Sequence, residues 1–224
     1  MQLLFTPYLL ELKHSFSIAK FSRTNTPVML LKLTYEGIDG FGEASMVPYM
    51  GESFETATLF LNKVDWQRFK FPFDFASMIS YLDGLEAGQP AIKAAIDIAL
   101  NDINGKLLGK SCMEIYGSDA SKMPVTSYTI GIDSPDVIRE KVADAKDFKV
   151  LKIKLGRDND KELINTIRSV SDLPLYVDAN QGWADKAQAI DMIYWLHDQG
   201  VLLIEQPMDK QDRDGNAWLT ARSP

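Results

Sequence analysis

From Val125 onward the chain repeats one pattern, and no other feature restricts its fold as strongly. Four short apolar runs, VTSYTIGI, VLKIKLG, LPLYVDAN and VLLIEQP, alternate with amphipathic stretches. Ile138, Val142 and Ala145 share one helical face in the first stretch, and Leu163, Ile164, Ile167 and Val170 do so in the second. Ala187, Ile190, Ile193 and Tyr194 are the expected face of the third. Parallel strands need a crossover of a dozen or more residues, and a helix is the usual one. Lys154, Asp178 and Glu205 recur at intervals of 24 and 27 residues, each long enough for one strand–loop–helix–loop unit. The expected fold class is α/β, a (β/α) barrel of which four units are present.

The first part of the chain has a different texture. Met1–Leu12 and Val28–Tyr35 read as strands, Glu36-Gly37 as a turn, and Ile38–Ala44 as the returning partner. Three helical stretches follow: FETATLFLNKV behind a Ser53 cap, FDFASMISYL, and AIKAAIDIALNDINGKLLG. The last carries Ala91, Ala95, Ile98 and Ile103 close to one face and stops at Gly109. The predicted organisation is an α+β domain at 1–120 and a barrel segment at 121–224. A complete barrel takes about 250 residues, so the C-terminal half is expected to be missing and the sheet to have open edges.

Composition narrows the function classes. With 24 Lys+Arg against 31 Asp+Glu the formal net charge is −7, which disfavours nucleic acid and anionic membrane as partners. No apolar run reaches the roughly 20 residues that span a bilayer, and MQLLFTPYLLELKHSF reads as a strand, not a leader. A single cysteine, Cys112, forms no intrachain disulfide, so the expected compartment is cytoplasmic.

Side chains alternate along a strand, which puts Lys152 and Lys154 on one face. Mutual repulsion and desolvation would lower a lysine pKa there and make the amine a usable base; the bland alternative is an exposed strand end with snorkelling stems. Asp178 and Glu205 end consecutive strands, where barrel sites are built, and two carboxylates there suit a hard cation. Each alone would more often be a cap. Asn180 and Gln206 are expected to cap the following helices. His14, His197 and Trp183 are read as surface or packing residues, Met29, Met78 and Met192 as core, and Cys112 as a buried thiol.

Three ordered motifs then resemble a known family. Lys152-Ile153-Lys154, Val177-Asp178-Ala179-Asn180-Gln181-Gly182-Trp183 and Ile204-Glu205-Gln206-Pro207 are similar to the barrel of the muconate-lactonizing branch of the enolase superfamily. Gly42-Glu43-Ala44 and AIKAAIDIALND with Gly109 resemble its capping domain. The run Tyr128 to Asp133, KIKLG and DANQGW are most similar to dipeptide epimerases of the L-Ala-D/L-Glu type. The resemblance implies an enolase-type barrel behind an α+β capping domain, and a magnesium-dependent isomerase of dipeptides used in cell-wall peptide metabolism. It implies Lys154 as base, Lys152 as its electrostatic partner, Asp178 and Glu205 as two of three Mg2+ ligands, and an enediolate intermediate. It also implies substrate contacts from Arg23, Thr129 and Tyr49, although Phe21 stands where the family's arginine would align and Arg23 lies two residues on. The third ligand and an opposing lysine belong to later strands, so residues 1–224 are expected to be inactive alone. The same lysine and metal would also serve a lyase or cycloisomerase such as o-succinylbenzoate synthase, and a non-catalytic remnant is the rival of another class. The sequence leaves a homo-oligomer open.

Overall fold

The computed structural model describes residues 1–47 and 50–224, and the chain divides into two compact units. One comprises Met1–Glu11 and Asn25–Met123, the other Leu12–Thr24 and Pro124–Pro224. The second unit thus takes in a stretch near the N-terminus as well as the chain from Pro124 onward. That stretch is the far end of a long hairpin: β1 runs Gln2–Ile18 and β2 Phe21–Tyr35, both longer than the alternation predicted.

In the first unit β2 pairs antiparallel with β3 (Ile38–Ser45), from Val28 opposite Ser45 to Tyr35 opposite Ile38. The turn between them has φ 48° at Glu36 and 82° at Gly37, the left-handed pair that matches strand twist in a two-residue hairpin. Helices α1 (Phe54–Leu61), α2 (Phe75–Leu85) and α3 (Pro90–Leu108) cover one face of this sheet. Ser53 and Thr56 cap α1 reciprocally, and Gly109 closes α3 in the left-handed conformation. Met29, Leu31 and Leu33 from β2 meet Phe60, Leu82, Ile92, Ile96, Leu100 and Ile103 in the core. Gly40 and Gly42 allow the close approach of β3 to α3: a Cβ on Gly42 would lie 1.9 Å from the Ala95 carbonyl oxygen. Ile98 is not on the buried face as expected but half exposed; the stripe runs through Ile92, Ile96, Ala99 and Ile103, one step round the helix. Cys112 begins a four-residue helix, α4 (Cys112–Ile115), and is exposed rather than buried, because so short an element covers nothing.

In the second unit four parallel strands lie in chain order: β4 (Ser127–Ile130), β5 (Val150–Lys154), β6 (Leu175–Asp178) and β7 (Val201–Glu205). Helices α5 (Pro135–Asp144), α6 (Asp160–Arg168), α7 (Lys186–Asp198) and α8 (Arg213–Thr220) follow them in turn, giving the parallel sheet of a partial barrel. Ile130, Leu151, Ile153, Leu155 and Val177 bury one sheet face against Ile138, Leu163, Ile164, Ile167 and Leu196 of the helices. The alternate residues turn to the opposite face. There the register sets Thr129 beside Lys152, Lys152 beside Tyr176, and Lys154, Asp178 and Glu205 in one row. On the outer strand Leu202, at a register irregularity, is 69% and Leu203 49% exposed, while Val201 is buried and Ile204 packs against the helix clusters.

The predicted faces of α5 and α6 are buried apart from Val142, which is half-buried, and Val170, which lies past the end of its helix. That of α7 holds at Ile193, with Ile190 partly buried, but Ala187 and Tyr194 are exposed and Ala189 and Leu196 face inward in their place. Apolar residues occupy most of this helix, so periodicity alone does not select the stripe; packing between two apolar clusters does.

Candidate active site

The site grows from the strand ends. Lys154 Nζ donates to Asp178 Oδ2 at 2.6 Å, Lys152 Nζ lies 3.6 Å from the same oxygen, and Lys152 also donates to Glu205 Oε2 at 2.5 Å. Two ammonium and two carboxylate groups from three consecutive strands thus share one row. Exposure falls inward, from 41% for the Glu205 side chain to 3% for Asp178. A carboxylate so buried costs several kcal/mol unless its lone pairs are occupied. Asp178 meets that need with Lys154 and with the Asn180 backbone N–H, which donates to Oδ1 at 2.9 Å.

The lysines do not repel each other unopposed. Burial pulls the Lys152 pKa down, but the hydrogen bond and charge of Glu205, followed by Asp178, outweigh it and hold the ammonium above its ordinary value. For Lys152 this reverses the expected lowering, because the acidic groups of β6 and β7 stand beside it.

The loops beyond the strands are tied together. Leu155 N donates to Asp178 O, Ala179 N to Glu205 O, Gln181 N to Gln206 O and Trp183 N to Pro207 O, all between 2.8 and 3.1 Å. Asn180, Gln181 and Gln206 take positive φ of 48°, 61° and 47°, a region costly for side chains other than glycine. Asn180 and Gln206 do not cap the next helices as expected; Asp185 caps α7 and Asp212 caps α8. Asn180 Oδ1 is instead buried with no hydrogen-bond partner among the described residues, an oxygen left unpaired two residues from Asp178.

Asp178 and Glu205 offer the hard oxygen donors that magnesium prefers. Among the described residues, however, no three His, Cys, Asp or Glu side chains group into a complete metal centre. The donor set fits Mg2+ in kind and falls short of it in number.

The other expected site residues lie elsewhere. Thr129 and Arg23 line a cavity of about 220 Å3 along β4 with Phe16, Tyr128 and Lys141; none of Lys152, Lys154, Asp178 or Glu205 lines it. The Arg23 guanidinium sits 5.5 Å from the Phe16 ring centroid, and its Nε is buried without a partner among the described residues. Tyr49 lies outside the described residues. His14 pairs with Asp144, and Trp183 donates its indole N–H to Asp160 at 2.9 Å. Asp160 and Arg157 escaped notice in the sequence, where a charged residue after KIKLG looks like an ordinary helix start.

Comparison with known proteins agrees across the whole length. Residues 5–117 match the mandelate racemase / muconate lactonizing enzyme N-terminal domain, and residues 137–224 the enolase C-terminal domain-like family. The chain is 52% identical to an L-Ala-D/L-Glu epimerase of Bacteroides thetaiotaomicron, covering all of this chain and 59% of that protein. It is 39% identical to an L-Ala-D/L-amino acid epimerase of Pedosphaera parvula, covering 67% of it. Among solved structures, a substrate-liganded L-Ala-D/L-Glu epimerase of Bacillus subtilis superposes with a TM-score of 0.85 at 26% identity, over all of this chain and 66% of that one. A dipeptide epimerase of Enterococcus faecalis, complexed with Mg and L-Leu-L-Tyr, gives 0.83 at 30% identity over 98% and 64%. The chain thus spans about three-fifths of the B. thetaiotaomicron protein. Both domain matches and these relatives place it plainly: this chain belongs to the mandelate racemase/muconate lactonizing enzyme branch of the enolase superfamily.

Proposed function

We propose that the full-length protein epimerises a dipeptide of the L-Ala-D/L-Glu type by removing the proton next to a carboxylate. The observation that carries this reading is the row of Lys154, Asp178, Lys152 and Glu205 at the carboxyl ends of three adjacent parallel strands. Relatives named as dipeptide epimerases support the substrate class.

An α-proton beside a carboxylate is very weakly acidic, because its loss concentrates charge on the carboxylate oxygens as an enediolate. Asp178 and Glu205 would hold magnesium, which supplies positive charge at that carboxylate. Lys154, the more deeply buried amine, takes the proton on one face of the α-carbon, and an acid on the opposite face, expected from a later strand, returns one to complete the inversion. Lys152, kept charged by its carboxylate neighbours, faces the developing negative charge and stabilises it. Arg23, whose Nε is buried without a partner among the described residues, and Thr129, which stands opposite Lys152 in the sheet register, would hold the substrate's acidic side chain from the neighbouring cavity.

The test is conversion of L-Ala-L-Glu to L-Ala-D-Glu by the full-length protein with magnesium, followed as a change in optical rotation. Glu205→Gln should raise the magnesium concentration needed by at least about tenfold. Turnover that is indifferent to a chelator would contradict the reading.

A further inference from the structure

The tip of the β1–β2 hairpin rests on the loops that follow β4 and β5. Ile132 N donates to Ser17 O at 2.9 Å, and a Cβ on Gly131 would meet the same oxygen at 2.9 Å. Further along, a Cβ on Gly156 would lie 2.9 Å from the Ala19 Cβ and 2.4 Å from the Ala179 carbonyl oxygen. Ala19 therefore sits at the mouth of the sheet, beside the loops that leave Lys154 and Asp178.

One side chain grips this tip. Arg157 Nη2 donates to Ile18 O at 2.8 Å and its Nε to Ala19 O at 3.2 Å. The fork therefore spans two successive carbonyls at the turn. Arg157 is itself exposed, so it packs no core. Its backbone is held by Asp160, which is 2% exposed. The Asp160 carboxylate accepts the Gly156 and Arg157 N–H groups at 2.9 Å and the Trp183 indole N–H at 2.9 Å. A buried carboxylate filled by three donors is stiff, because any movement leaves charge unpaired. Trp183 in turn donates its backbone N–H to Pro207 O, on the loop after β7.

We infer that Asp160 and Arg157 are positioning residues: they brace the hairpin tip against the loops that follow Lys154, Asp178 and Glu205, and so set where Arg23 stands relative to the reacting carbon. The inference rests on the proposed epimerase reading for its kinetic half and on the hydrogen bonds alone for its mechanical half. Neither residue touches substrate. The brace acts on how firmly the acidic side chain of a dipeptide is held and leaves the proton transfer itself to the lysines.

In the full-length protein, Arg157→Ala should speed amide exchange across residues 17–24 by about tenfold while leaving residues 150–154 and 175–178 unchanged. It should raise KM for L-Ala-L-Glu by about tenfold with kcat within about threefold, the split expected when binding and not chemistry is lost. Arg157→Lys, which keeps the charge without the fork, should fall between. Unchanged exchange at residues 17–24 would overturn the brace whatever the activity. Faster exchange with KM unmoved would overturn the positioning role. Absence of dipeptide turnover in the wild-type protein would count against the function alone, and the exchange comparison would still decide the brace.

Discussion

At the residue scale the site is a problem in burying charge. Asp178 is almost fully enclosed, and the two lysines that would serve chemistry also make its burial tolerable. Removing one partner of such a pair costs about 3–5 kcal/mol, whereas replacing both by apolar groups costs far less. Asp178→Ala is accordingly expected to lower the unfolding free energy by about 3 kcal/mol in urea titration, and adding Lys154→Met should recover part of the loss. A single variant as stable as wild type would remove the pairing from this account. Asp133 gives the pH dependence. Burial pushes its carboxyl up, but the Ser134 N–H, the Lys141 ammonium and the Ser15 hydroxyl together hold it below the ordinary value of 3.8. A carboxyl lowered on folding adds stability above its unfolded pKa and loses it as pH falls through the folded one. Stability should therefore decline below about pH 4, and Asp133→Asn should flatten that decline; an unchanged acid limb in the variant would contradict the assignment.

At the element scale most of the architecture was legible, and the exceptions share a cause. The strands ending at Lys154, Asp178 and Glu205 and the helices between them follow from period alone. In helix α7 the period finds Ile193 but not Ala189 and Leu196, because apolar residues surround the helix and packing selects among them. The hairpin's far end was missed because polar residues fall on both faces, and its support comes from loops more than a hundred residues away. Asn180 and Gln206 looked like caps because local sequence does not reveal left-handed backbone. Lys154, Asp178 and Glu205 were readable because strand ends place them together; the Asp160–Trp183 bond was not, since it joins different repeats. Two glycines test the packing. Gly42→Ala would push β3 off α3, with an expected loss of about 2 kcal/mol or more. Gly84→Ala, in the exposed part of α2 with nothing within 4 Å, should gain about 0.5–1 kcal/mol. Equal thermal midpoints for the two variants would contradict the packing described.

At the scale of the whole molecule, the proposed two-faced epimerisation would draw two carboxylate ligands, Asp178 and Glu205, and one of its lysines, Lys154, from residues 1–224. The polypeptide 1–224 alone should show no dipeptide turnover with magnesium, and the exposed Leu202 and Leu203 of β7 should make it self-associate in sedimentation. No described helix is long and apolar enough to cross a membrane. The most direct measurement of the central claim is proton NMR of the substrate α-hydrogen in deuterium oxide, using the full-length protein, L-Ala-L-Glu and magnesium. Wild-type protein should exchange that hydrogen for deuterium, and Lys154→Ala should slow the exchange by about 10²–10⁴-fold. Exchange at the wild-type rate in the Lys154→Ala protein would show that the amine beside Asp178 is not the base.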